Sequence, residues 1–207
     1  MCDCKDNIEQ PEVVEIVNIE KRAKDIRCFY FDHKIQAEPG QYFLLWLPGV
    51  DEKPFGVSYQ GKDKFGAIIC KVGPFTEKLY QLNPGDIVGI RGPYGTSFEL
   101  LGKNIALVAG GYGIGPLSFL ADKAIDKGIN VNFIIGAKNK EFLVKYEKDT
   151  GLCNLHYTTD DGSYGIKGYT TDALKKLIKN ESIDQIYTVG PEVMMKKVIE
   201  ISDEFDI

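Results

Sequence analysis

Hydrophobic positions change their rhythm near the middle of the chain. Between residues 11 and 92 they come in short runs rich in β-branched and aromatic side chains: Val13 to Asn18, Cys28 to Phe31, Tyr42 to Leu47, Ala67 to Val72 and Asp86 to Ile90. Runs of this length and composition predict strands. Turn chemistry separates them at Glu38-Pro39-Gly40, Leu47-Pro48-Gly49 and Asn83-Pro84-Gly85, at intervals that suit a small antiparallel barrel or sandwich. A single short helix fits this half, Phe75 to Leu82, closed by Asn83-Pro84-Gly85.

From about Lys103 onward the pattern alternates between strand and helix. Strands are predicted at 104–109, 131–136, 153–158 and 184–189, with helices near 114–127, 140–147, 170–179 and 192–204. That alternation predicts a parallel sheet flanked by helices. Thr170 or Thr171 is placed to cap the third helix, whose Leu174, Leu177 and Ile178 share one face. The change of texture falls at Leu100 to Asn104, so the expected units are a β-barrel over 1–101 and an α/β domain over 102–207.

The second unit opens with the chain's most informative stretch, Ile105 to Pro116. Five small or apolar residues, Ile105 to Ala109, suit a parallel strand covered on both faces. They run into Gly110, Gly111, Gly113 and Gly115, which let backbone approach a phosphate, and then into the helical Pro116 to Ile125. The spacing is not G-x-G-x-x-G, and a tight strand-to-helix turn without a ligand accounts for the same residues.

Composition narrows the function classes. A net charge of −5 without a block of Lys or Arg argues against nucleic acid. No run approaches the ~18 apolar residues of a membrane span, and the polar start MCDCKDNIEQ is unlike a signal peptide, so the expected location is the cytoplasm. The five cysteines, Cys2, Cys4, Cys28, Cys70 and Cys153, are scattered and odd in number, as reduced thiols would be. Cys2-Asp3-Cys4 puts two thiols on a terminus, where metal sites seldom form, and no metal site is expected. His33 and His156 have no partner at ligand spacing and read as structural or surface residues.

A barrel followed by a nucleotide-type α/β unit resembles the ferredoxin reductase-like flavoprotein superfamily over nearly the whole chain. Within it the pattern is most similar to the electron-transfer subunits of NAD-linked (type B) dihydroorotate dehydrogenase. Lys53-Pro54-Phe55-Gly56-Val57-Ser58 stands where that family carries a flavin motif of the type R-P-x-S. Lys53 replaces the arginine, keeping the charge but losing the bidentate fork, and Gly56 replaces the serine. Ser58, two residues on, would lie on the same side of a strand as Gly56 and supply a hydroxyl. Val72-Gly73-Pro74-Phe75-Thr76-Glu77 resembles the family's G-x-x-[ST] turn, in which backbone N–H groups and the Thr76 hydroxyl would hold FAD phosphate; an ordinary capped helix start fits equally. Arg91-Gly-Pro-Tyr-Gly-Thr-Ser-Phe98 resembles the G-P-[LY]-G-x-x-F turn that closes the barrel. The resemblance thus implies FAD contacts at Lys53, Pro54, Phe55, Gly56, Val57, Ser58, Cys70, Lys71, Gly73, Phe75 and Thr76, although Cys70 also reads as a buried small hydrophobe.

For NAD as co-substrate, the resemblance implies Gly110, Gly111, Tyr112, Gly113, Ile114 and Gly115 in the first turn, with Gly190, Pro191, Glu192 and Met194 near the nicotinamide. Asp160 and Asp161 would accept hydrogen bonds from ribose hydroxyls and repel a 2′-phosphate, favouring NAD over NADP; a solvated turn is the alternative. No catalytic acid, base or nucleophile is expected, because hydride passes between the cofactors themselves. The family also implies a later segment whose four cysteines hold a [2Fe–2S] cluster, spaced close to C-x4-C-x2-C before a distant fourth. None of the five cysteines here has that spacing, and the expectation is that the segment lies past Ile207. The implied partner is a catalytic dihydroorotate dehydrogenase subunit in a heterotetramer, with no nucleic acid or membrane. Two rivals remain: an NAD(P)H:flavin subunit serving a ferredoxin, sulfide or hydrogenase partner, and a nucleotide-binding module without flavin.

Overall fold

A strand that alternates apolar and polar side chains can bury only one face, and the first half of the chain satisfies this constraint by rolling its strands around an aromatic core. The computed structural model describes residues 10–147 and 151–207. In this half it has β1 (Glu12–Ala23), β2 (Ile26–Phe31), β3 (Tyr42–Leu47), β4 (Asp51–Gly56), β5 (Tyr59–Gln60), β6 (Phe65–Cys70), α1 (Pro74–Leu79) and β7 (Ile87–Tyr94). The seven strands form one antiparallel sheet in the order β4-β3-β7-β1-β2-β6-β5. Its two edge strands, β4 and β5, are consecutive in the chain, with only Val57 and Ser58 between them. The sheet therefore curls until its edges meet. At that seam the Val57 N–H donates to the Gln41 carbonyl (3.3 Å) and the Ser58 N–H to the Gly66 carbonyl (2.8 Å). Phe29, Phe31, Phe43, Leu45, Val57 and Phe65 fill the interior, and the Phe43 and Phe65 rings meet edge to face at 4.9 Å.

The second half has β8 (Asn104–Gly110), a 3₁₀ turn (Gly111–Gly113), α2 (Ile114–Asp126), β9 (Asn130–Ala137), β10 (Cys153–Thr159), β11 (Ile166–Lys167), α3 (Thr170–Asn180), β12 (Gln185–Val189) and α4 (Glu192–Phe205). These strands make a parallel sheet in the order β11-β10-β9-β8-β12. Ile105, Leu107 and Ala109 pack towards α2, while Ala106 and Val108 pack towards α3 and α4. All five are fully buried, so the run from Ile105 to Ala109 is continuously apolar because both faces of β8 are covered.

Several expectations are corrected. Residues 140–147 are not a helix but a turn followed by irregular chain. Their backbone groups bond outwards: the Glu141 carbonyl accepts the Lys24 N–H (2.8 Å) and the Lys145 carbonyl accepts the Arg22 guanidinium (3.1 Å). The third helix is not capped by a threonine; Tyr169 takes that place, and the Asp172 carboxylate accepts its N–H (3.3 Å) while Thr170 is buried. The polar stretch 51–56 is a strand, held by pairing with β3 rather than by an apolar pattern of its own. The strand expected at 86–90 continues through Tyr94, so the first half of the turn expected over Arg91 to Phe98 is strand. Cys2 and Cys4 lie outside the described residues. Among the described residues no helix is long and apolar enough to cross a membrane, and no three His, Cys, Asp or Glu side chains gather as a metal site.

His156 lies on β10 with its Nε2 buried and without a hydrogen-bond partner. Burial pushes its pKa below the ordinary 6.5, and the nearby Glu181 carboxylate only partly opposes this. The unfolded chain therefore binds this proton more readily than the folded one, so stability falls as pH drops through the ordinary histidine value and levels off below the folded one. Urea midpoints measured at about pH 7.5 and about pH 5.5 should fall further on acidification for the unmodified chain than for His156→Asn.

Candidate functional site

In an open parallel sheet, ligands bind where successive strands are connected in opposite directions. That point lies here between β8 and β12. From β8 the chain crosses through α2 on one face to β9, whereas α3 and α4 cover the other face and β12 lies on the opposite side of β8. The two turns at these carboxyl ends touch. A Cβ on Gly110 would lie 2.7 Å from Pro191 Cδ and 2.8 Å from Met194 Sδ, one on Gly190 would lie 3.0 Å from the Gly110 Cα, and one on Gly113 would overlap the Val189 carbonyl. Gly110, Gly113 and Gly190 are thus required by close approach. Gly111 differs: its φ is +57° and a Cβ there would meet nothing, so it turns the chain beside open space. No side chain caps the N-terminus of α2, and Tyr112 stands 55% exposed beside it. The structure therefore brings the turn Gly110 to Gly115 and the turn Gly190 to Met194 together at this edge of the sheet.

The barrel seam meets the same place. A Cβ on Gly56 would lie 3.2 Å from the Pro116 side chain, and one on Gly115 would lie 2.7 Å from Ser58 Oγ. Ser58 is buried, and its hydroxyl accepts the Ile68 N–H (2.9 Å). Phe55, just before the seam, packs its ring against Phe75 of α1 (centroids 5.9 Å apart) and Phe43 (6.3 Å). Lys53 lies two residues before Phe55 on the same side of β4, half exposed, with its ammonium 2.5 Å from the Asp51 carboxylate. The Arg91 guanidinium bonds both carboxylate oxygens of Glu52, tying β4 to β7 across β3 and so locating the strand that carries Lys53 to Gly56. Pro116, Ile68 and the Arg91–Glu52 pair were not among the expected site residues. Pro116 and Arg91 fall inside stretches that the sequence singled out, but their contacts are not legible there, because each is made with a partner distant in the sequence.

Thr76 does not have a free hydroxyl. Its Oγ1 accepts the N–H groups of Val72 (2.9 Å) and Gly73 (3.1 Å) and donates to the Gly73 carbonyl (3.0 Å), so it shapes the loop before α1 instead of reaching outwards. Gly73 has open space where a Cβ would be, and Val72 is exposed. Cys70 packs against the α/β core, and burial raises its thiol pKa. Lys71 pairs with Asp25 (3.4 Å). These two therefore face the β1–β2 turn.

Asp160 and Asp161 follow β10, two strands from β8 and hence about 10 Å along the same edge. The Asp161 carboxylate accepts the Ser163 N–H (2.9 Å), and this bonding holds it below the usual carboxylate range. Glu192 at the start of α4 pairs with Lys196 (2.7 Å).

A curled antiparallel sheet whose seam abuts the glycine turn of a parallel sheet defines the ferredoxin reductase-like class. Accordingly, the chain superimposes on a structure described as an NADH-dependent reduced ferredoxin-NADP oxidoreductase with a TM-score of 0.86 and 30% identity, covering 95% of this chain and 74% of that one. No protein-family model matches the chain. It is 43% identical over 200 residues to a Methanocaldococcus jannaschii protein named "Probable dihydroorotate dehydrogenase B (NAD(+)), electron transfer subunit", covering 97% of this chain and 76% of the relative. A Pyrococcus horikoshii protein of the same name is 45% identical over 181 residues, 86% of this chain and 69% of its own length. The chain belongs to the family of dihydroorotate dehydrogenase B electron transfer subunits.

Thr76→Val should leave two backbone N–H groups beside α1 without their acceptor and destabilise the chain by about 1–3 kcal/mol, read as a lower urea midpoint at unchanged slope. A change within error would show that the hydroxyl contributes nothing to the loop.

Proposed function

We propose that this chain is an FAD-containing electron-transfer subunit that passes electrons from a partner dihydroorotate dehydrogenase to NAD. The observation that carries this reading is the contact of Gly56 and Ser58 with Gly115 and Pro116. Through it a stretch resembling a flavin motif and a glycine turn at a parallel-sheet switch point share one junction. FAD, when bound, supplies hydride exchange with the nicotinamide and onward delivery of electrons. The residues here bind and orient the reactants.

The cradle fits such a ligand. Phe55 stands partly exposed next to the seam, backed by Phe75, which is itself buried in the barrel core. Lys53 brings positive charge towards a pyrophosphate, shared with Asp51, and the space above Gly73 lets phosphate approach backbone. Pro54, Gly56, Val57 and Ser58 complete the flavin side; Cys70 and Lys71 support it from behind. Gly110 to Gly115 accept the nucleotide, Gly190 to Met194 close beside the nicotinamide, and Asp160 with Asp161 receives the adenine ribose. The division of labour follows the units 1–101 for flavin and 102–207 for nucleotide. Electron exchange with the partner runs within a heterotetramer in the cytoplasm. The [2Fe–2S] relay implied by the resemblance has no ligand set among the described residues, so no step is assigned to it.

A second reading is a subunit of the same class serving a ferredoxin partner, favoured by the 30% identity to the ferredoxin-NADP oxidoreductase. Assaying the chain with each candidate partner separates the two.

Four outcomes are expected. Denaturation of the yellow protein should release FAD, and chromatographic recovery of FMN alone would overturn the assignment. Lys53→Ala should weaken retention by roughly tenfold, the low end for a charge-assisted contact because Lys53 is half exposed and shared with Asp51. The isolated chain should reduce an artificial dye with NADH far better than with NADPH, and should not oxidise dihydroorotate on its own. Equal efficiency with both nucleotides would remove the role given to Asp160 and Asp161.

A further inference from the structure

The tip of the β1–β2 hairpin belongs to the barrel by sequence but to the other core by packing. Ala23 and Ile26 are buried in the cluster formed by β8, β9 and α2 rather than among the barrel aromatics. The segment 141–147 wraps this tip. Glu141 accepts the Lys24 N–H (2.8 Å), and the Lys24 ammonium pairs with the Glu141 carboxylate (2.8 Å). The Arg22 guanidinium donates to the Lys145 carbonyl (3.1 Å) and to the Glu147 carboxylate (3.3 Å), and lies 3.5 Å from Glu20. Leu143, Val144 and Tyr146 of the same segment are buried, and the Tyr146 hydroxyl donates to Asp122 of α2 (2.6 Å).

We propose that Arg22 is a positioning residue for hydride transfer: through the segment 141–147 it holds the barrel and the α/β unit at one fixed relative orientation. This rests on the function proposed above. The seam contact of Gly56 and Ser58 with α2, backed by Phe119 of α2 buried among the barrel residues, fixes how closely the two halves approach at that edge. The clasp at the hairpin tip is a separate attachment at another edge of the junction and resists tilting of one half against the other about the seam. Reacting atoms must stand within about 3–3.5 Å and aligned, so a small tilt costs rate without loosening either ligand in its own half. Of the polar contacts in the clasp, the Lys24–Glu141 ion pair is solvent-exposed and contributes little. Arg22 differs, with its side chain 15% exposed and bonded to two residues of the wrapping segment. Lysine at this position keeps one donor group and loses the fork.

The test compares Arg22→Ala and Arg22→Lys with the unmodified chain, with Ser182→Ala as a control far from the clasp. Rapid-mixing with NADH gives the hydride-transfer rate and the nucleotide affinity separately. Hydrogen exchange on peptides spanning 20–27 and 141–147 gives the state of the clasp and needs no cofactor. Arg22→Ala should slow hydride transfer at least tenfold, with NADH affinity within about twofold and flavin content unchanged; Arg22→Lys should fall between. Exchange should quicken in both clasp peptides and not in the glycine turn. An unchanged rate, or a loss explained by lower flavin content, overturns the positioning role. Unchanged protection in Arg22→Ala overturns the clasp whether or not the protein holds flavin, whereas a colourless unmodified chain overturns the functional reading alone.

Discussion

The close approach of Gly115 to Ser58 is the constraint on which the rest depends. A Cβ at residue 115 would stand 2.7 Å from the Ser58 oxygen, too near for any side chain to fit without displacing the seam. The seam itself is the only chain between the two edge strands of the barrel, so its position is set by β3 and β6 through the hydrogen bonds of Val57 and Ser58. Barrel closure and the entry to α2 are therefore one geometric problem.

The parallel sheet contributes the direction of the site. Because α2 lies on one face and α3 with α4 on the other, the chain leaves the carboxyl ends of β8 and β12 towards opposite faces, and the two turns meet there. The glycines there have different causes: Gly110, Gly113 and Gly190 make room for the facing turn, whereas Gly111 supplies a left-handed bend. The linker before β8 is tied to the same sheet. The Tyr187 hydroxyl of β12 bonds the Glu99 carbonyl (2.5 Å) and accepts the Leu101 N–H (3.2 Å), while its ring meets Phe98 at 5.7 Å. The junction thus has a third support besides the seam and the hairpin clasp.

Much of this was legible from local pattern. The change from short β-branched and aromatic runs to alternating strand and helix located both sheets, and the buried strand running into Gly110 to Gly115 marked the switch point. The strand β4 was not legible, because Asp51, Glu52 and Lys53 carry no apolar alternation and its pairing with β3 is decided across the hairpin. The irregular segment 141–147 was misread as helix, since its Leu143, Val144 and Tyr146 fit a helical face equally well and the donors that compete for its carbonyls, on Arg22 and Lys24, lie more than a hundred residues earlier.

By itself the sequence determined which residues are apolar, where glycine and proline interrupt them, and hence the order and kind of most elements. It also determined the chemical repertoire: a lysine where a fork is usual, a glycine where a hydroxyl is usual, and no four-cysteine pattern. Only the tertiary structure decided how those groups are used. The Thr76 hydroxyl is engaged by its own loop, Cys70 and Lys71 face the hairpin turn, and Ser58 closes the barrel against α2. The physical reason is that propensity and periodicity act over a few residues, whereas hydrogen-bond partners and excluded volume are set by whatever the folded chain brings into contact.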